Sequence, residues 1–171
     1  GVHVNSWLAP QMRLVYERKL GADWIARSGD SELGEAIDDI DDGELWEAHL
    51  TLKARLVAEA RRRLVLQAER QGQSAAVIAQ LRRVLSRDAL TIGFARRFAT
   101  YKRANLLLHD LAALEALVNH PHRPVQLIFA GKSHPHDGPG KAVLQEVARL
   151  ARDPRFAGKI VFIEDYDINV G

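Results

Sequence analysis

At 171 residues, 47% hydrophobic and 27% charged, the chain has the make-up of an ordinary globular sequence with enough apolar material for one sizeable core. It holds no cysteine, which excludes disulfides and thiolate metal sites. It has no run near the roughly 18 apolar residues that a membrane span needs, and its first residues lack an export signal, so the cytoplasm is the default compartment. A net charge of +2 with 3 Trp, 3 Tyr and 5 Phe lacks the basic, aromatic-interleaved face of a nucleic-acid binder, so neither nucleic acid nor membrane is an expected partner.

Residues 1–86 read as a helical lead-in. A first helix starts near Pro10, a residue suited to the first helical turn, and ends at Gly21; a short one covers residues 31–37. Asp38, Asp39, Asp41, Asp42 and Glu44 then open a long amphipathic helix that runs to about Gln71, acidic residues being favoured at a helix start. This acidic run lacks the spaced oxygen ligands of a calcium loop. The helix carries an apolar stripe of Leu45, Trp46, His49, Leu52, Leu56, Ala60 and Leu64, which leaves Arg61-Arg62-Arg63 as a solvated face. Gly72 breaks it, and another helix covers residues 74–85.

Residues 87–171 change character. Three β-prone runs, 89–95, 125–130 and 160–163, alternate with helical patterns at 103–118 and 140–151. The order βαβαβ predicts parallel strands joined by right-handed crossovers, which is the α/β class and half of a Rossmann-like domain. The chain starts at Gly1 without a Met and stops at Gly171 just after the third strand, and we read it as an excerpt of a longer protein.

In a parallel sheet the strand exits share one edge, and all three exits here are polar. After the first strand, Arg96-Arg97-Phe98-Ala99-Thr100-Tyr101-Lys102-Arg103 packs four cations into eight residues at an expected strand-to-helix junction. A helix N-terminus carries roughly half a positive charge and repels each added cation by up to about 1 kcal/mol. An anion would remove that penalty, so the pattern describes a phosphate cradle; the plainer reading is a solvated basic helix start. After the second strand comes a Gly/Pro-rich loop over residues 131–141, in which Gly131 and Lys132 are candidate substrate-binding residues; it matches no Walker pattern, and the plainer reading is a flexible connection. After the third comes Glu164-Asp165-Tyr166-Asp167, which suits sugar hydroxyls or is a solvated turn. His134 and His136 with Asp137, or His120 and His122, lack a third ligand, and no metal is assigned.

Residues 91–103 (TIGFARRFATYKR), residues 127–132 (LIFAGK) with Pro135 following, and residues 161–167 (VFIEDYD) closely resemble, in order and spacing, the glycogen phosphorylase (α-glucan phosphorylase) family. The opening GVHVNSWL resembles the family's entry into its C-terminal glycosyltransferase domain. The resemblance implies a GT-B architecture and pyridoxal phosphate used through its phosphate. It also implies transfer of glucosyl units, with retention, from an α-1,4-glucan to orthophosphate to give glucose 1-phosphate. It places Arg97 and Lys102 on the substrate phosphate as catalytic residues, Arg96 and Tyr166 at the cofactor, and Tyr101 near a glucose hydroxyl. The family's Schiff-base lysine falls beyond Gly171, so the chain alone is expected to be inactive; a homo-oligomer is left open. Two departures stand out: Ala9-Pro10 sits where long members have Asn-Pro, and Phe98-Ala99-Thr100 replaces a more polar stretch. The alternatives are a nucleotide-sugar-dependent glycogen or starch synthase-like enzyme of the same architecture, in which Arg and Lys hold a diphosphate, and a non-catalytic phosphosugar- or glucan-binding module.

Overall fold

A computed structural model of the chain describes residues 4–164. The backbone divides after Leu56, within a helix, into two compact units. The first contains α1 (Val4–Trp7), α2 (Pro10–Leu20), α3 (Ser31–Asp38) and the opening turns of α4 (Asp42–Arg70). Pro10 sits in the first turn of α2 and Gly21, at φ 86°, ends it. Asp30 caps α3 by accepting the Glu32 N–H, and the Asp41 carboxylate accepts the Glu44 N–H at 2.9 Å at the start of α4. Met12, Val15, Leu20, Leu33 and Ile40 are its buried apolar residues. Two members of the expected α4 stripe are not covered: Trp46 is 57% exposed and Leu56 41%.

The second unit is a three-layer α/β body. Its sheet has the order β1-β2-β3, all parallel, with β1 Leu90–Ala95, β2 Val125–Ala130 and β3 Ile160–Ile163. In the central strand, alternate side chains go to opposite faces. Leu127 and Phe129 pack with Val143, Val147 and Leu150 of α7 (Gly138–Leu150) and with Leu114 and Val118 of α6 (Leu111–Val118). Ile128 and Ala130, with Val161 and Ile163 of β3, pack against Val57, Ala60 and Leu64 of α4. Every residue of β2 and β3 is buried.

Two expected helices come out shorter. α5 (Ala75–Leu81) stops four residues early because the Arg61 guanidinium reaches across and donates to the carbonyls of Val84 and Leu85 at 2.8 and 2.9 Å. Leu85 takes φ 63° and donates its N–H to the Gly158 carbonyl, turning the chain toward β1. Arg61 thus leaves the expected solvated face, while Arg62 and Arg63 both bind Glu59. The expected helix over 103–118 is α-helical only from Leu111; before it lie single 3-10 turns at Thr100–Lys102 and Leu106–His109. Arg103 at φ 53°, ψ 36° closes the first turn, and Asp110 opens α6 by accepting the Ala113 N–H. A left-handed residue and a side-chain cap override the Leu/Ala-rich propensity here.

Candidate functional site

The pairing of β1 with β2 does not stop where the strands end. The Arg96 N–H donates to the Ala130 carbonyl at 3.2 Å, the Phe98 N–H donates to the Lys132 carbonyl at 2.9 Å, and Phe98 bridges Ser133 in parallel. The basic segment after β1 is therefore zipped to the segment after β2. Gly131 is what lets them close: a Cβ there would lie 2.1 Å from the Arg96 carbonyl oxygen and 2.8 Å from the Phe98 ring. Phe98 is fully buried, with ring centroids 5.3 Å from Phe94 and 5.8 Å from Phe162. Gly140, in the first turn of α7, is equally constrained, since a Cβ would come within 2.6 Å of the Phe98 carbonyl oxygen. One apolar plug thus anchors the run of cations at both its backbone and its ring.

Beside this anchor lies an open cleft of about 410 Å³ lined by Gly93, Phe94, Ala95, Arg96, Tyr101 and Lys102. The Lys102 ammonium stands 4.7 Å over the exposed Tyr101 ring. Of the sequence-derived site residues, the structure brings Arg96, Tyr101 and Lys102 together. Arg97 and Lys132 are exposed nearby without lining the cleft, and Gly131 is buried beneath as backbone packing. Tyr166, with Asp165 and Asp167, lies outside the described residues. Glu164 is tied back to α4: its N–H donates to Gln67 Oε1 and its carboxylate accepts from Gln71 Nε2, both at 3.0 Å.

Several cations of the chain are paired and others are not. Arg18, Arg62 and Arg155 hold carboxylates at 2.6 to 2.7 Å. Among the described residues, Arg96, Arg97, Lys102, Arg103 and Lys132 have no carboxylate partner. The expected helix dipole is absent from the picture, which corrects the sequence reading. The cations sit on extended and 3-10 backbone, α6 starts only at Leu111 behind its Asp110 cap, and Asp137 takes the Gly140 N–H of α7 at 2.8 Å. Their mutual repulsion is that of side chains alone, and an anion between them would relieve it. The histidine pairs serve turns: His134 Nδ1 accepts the His136 N–H, and His120 Nδ1 accepts those of His122 and Arg123. Among the described residues no group of three or more His, Asp or Glu is placed to hold a metal ion.

Sequence reasoning missed Phe98 and Gly140 as the parts that hold the site. The available signals were a phenylalanine inside a basic run and a glycine one turn into a helix.

No protein-family model matches the chain. Over 98% of its length it is 40% identical to a glycogen phosphorylase of Aquifex aeolicus, and likewise 40% identical to a maltodextrin phosphorylase of Thermococcus litoralis. Over 99% of its length it is 36% identical to a glycogen phosphorylase of Mycobacterium bovis. The chain is homologous to one segment of the glycogen and maltodextrin phosphorylase family. It spans 24%, 20% and 19% of the lengths of these three phosphorylases. The chain presents half of a Rossmann-like fold with its polar rim at the carboxyl ends of the strands.

Proposed function

We propose that the chain is the phosphate-holding segment of an α-glucan phosphorylase. Such an enzyme moves a glucosyl unit, with retention, from the end of an α-1,4-glucan to orthophosphate and releases glucose 1-phosphate in the cytoplasm. The observation that carries this reading is the cluster of cations with no carboxylate partner among the described residues, around a cleft at the carboxyl edge of a parallel sheet, in a chain 40% identical to phosphorylases.

In this reading Arg97 and Lys102 bind the substrate phosphate, Arg97 with a planar fork and Lys102 with a compact charge. Tyr101, mostly exposed at the cleft, contacts a glucose hydroxyl, and Lys132 adds charge from the neighbouring segment. The residues present also fit the phosphate of pyridoxal phosphate: Arg96 lines the same cleft as Lys102, and the donor set is cationic throughout. Arg96 would hold that phosphate and Tyr166 would line its pocket. When bound, the cofactor phosphate supplies an acid–base partner to the substrate phosphate. Two phosphates at such range repel by about 4 kcal/mol per unit-charge pair at 4 Å and an effective dielectric near 20. Fixed cations offset this, and they stabilise charge that develops in the transition state without having to reorganise.

The test is phosphorolysis of maltodextrin by the complete enzyme carrying Lys102→Ala or Arg97→Ala. Each should lower kcat/KM for orthophosphate by roughly 10²-fold or more, the scale of removing one preorganised donor. Undiminished phosphorolysis in both variants, or turnover with a nucleotide sugar in place of orthophosphate, would overturn the reading.

A further inference from the structure

A second concavity runs beside β3, with its larger part at the amino ends of the strands. Two clefts, of about 270 and 760 Å³, share the walls Val77, Leu81, Val84, Ala151, Arg152 and Gly158, and so form one groove along α5, α7 and β3. Ser86 precedes β1, Gln126 stands near the start of β2 and Lys159 precedes β3, which places the larger cleft at the amino ends of the strands. Among the described residues none lines both this groove and the cation cleft.

Leu64, Phe162 and the Gln73 amide line the smaller cleft alone, and Arg83 and Lys159 the larger alone, while Val77, Leu81 and Arg152 line both. Among the described residues no Asp or Glu lines either part. Among the described residues these three cations have no carboxylate partner, whereas Arg155, three positions after Arg152, grips Asp153 at 2.7 Å. The wall is also held rigidly. Arg61 fixes the Val84 and Leu85 carbonyls, Leu85 is kept at φ 63°, and Gln126, 1% exposed, exchanges two 2.7 Å hydrogen bonds with the Ser86 backbone. A left-handed leucine persists only where its surroundings over-determine it, and a wall fixed in advance has little ordering to lose when a ligand arrives.

We propose that this groove is a second ligand site, for a phosphate ester on an apolar or planar body. Its phosphate is held by Arg83, Arg152 and Lys159, and its body lies against Val77 and Leu81. Guanidinium groups suit phosphate oxygens, the amide suits a hydrogen-bonding ring edge, and with no carboxylate among the described lining residues the cations are open to an anion. The inference does not depend on the phosphorylase reading, because it uses none of the rim residues.

Calorimetric titration tests it, with the complete protein carrying Arg96→Ala, Arg97→Ala, Lys102→Ala and Lys132→Ala so that the rim cations assigned to phosphate are removed. The probe is ADP, compared with adenosine, which has the body alone, and pyrophosphate, which has the charge alone. ADP should bind at one site, and each partial probe at least tenfold more weakly. Adding Arg83→Ala and Arg152→Ala, both exposed positions, should weaken ADP at least tenfold, as should filling the groove with Leu81→Trp. Absence of saturable ADP binding, or equal ADP affinity with and without Arg83 and Arg152, would overturn the proposal.

Discussion

Phe98 is the residue on which the rim is hung, and it sits in the middle of its own cations. Truncating a fully buried aromatic costs about 3–5 kcal/mol, so Phe98→Ala should lower the denaturation midpoint sharply, as followed by circular dichroism. Gly131 and Gly93 make a controlled pair. A methyl at Gly131 meets backbone that cannot rotate away, so Gly131→Ala should cost about 1–3 kcal/mol and weaken orthophosphate binding in the complete enzyme. Gly93 has nothing within 4 Å of such a methyl, and Gly93→Ala should fall within about 0.5 kcal/mol of the parent. Equal effects at the two glycines would remove close approach as the explanation. Residue types were legible here and their jobs were not. Arg96, Tyr101 and Lys102 stand out by charge and clustering, but nothing in a one-dimensional pattern says that the phenylalanine among them points inward, since that depends on a bridge to Ser133 35 residues away.

Among the elements, β2 and β3 start and stop where their mainly apolar runs do, and Gln126, the polar residue inside β2, is held by the Ser86 backbone and Thr91 Oγ1. Helix ends were read less well wherever a distant group decided them. The end of α5 depends on Arg61 more than 20 residues earlier, and the start of α6 on a left-handed Arg103 followed by the Asp110 cap. Arg61→Ala should therefore destabilise by about 1.5–3 kcal/mol, the value of hydrogen bonds to a charged group, and raise amide exchange around Val84 and Leu85. On α4, hydrogen bonding from Arg62 and then Arg63 holds the Glu59 carboxyl at about 2, below its ordinary 4.5. Because the folded value is depressed, the stabilisation is complete above about pH 4.5 and is lost as pH falls toward 2. Glu59 is 40% exposed, so the contribution is small, under about 1 kcal/mol. The stability gap between the parent and Glu59→Gln should close between pH 5 and pH 2; a gap independent of pH would remove the pairing as its source.

For the whole molecule, the right-handed βαβ rule already implied parallel strands in one sheet, and the order β1-β2-β3 agrees. The groove beside α5 and α7 was not legible, because its walls come from segments spread between residues 64 and 162 that share no motif. Since β2 is flanked on both sides and fully buried, hydrogen exchange should be slowest over Val125–Ala130 and faster over Leu90–Ala95; the reverse order would contradict the sheet arrangement. The aspartates that close the first turns of α6 and α7 have a further effect. With those amides already engaged, affinity for an anion at the rim rests on a few long side chains and should drop steeply as ionic strength rises. It also leaves the scaffold indifferent to which anion is captured, so point substitutions at the rim could retune selectivity while the frame beneath stays as it is.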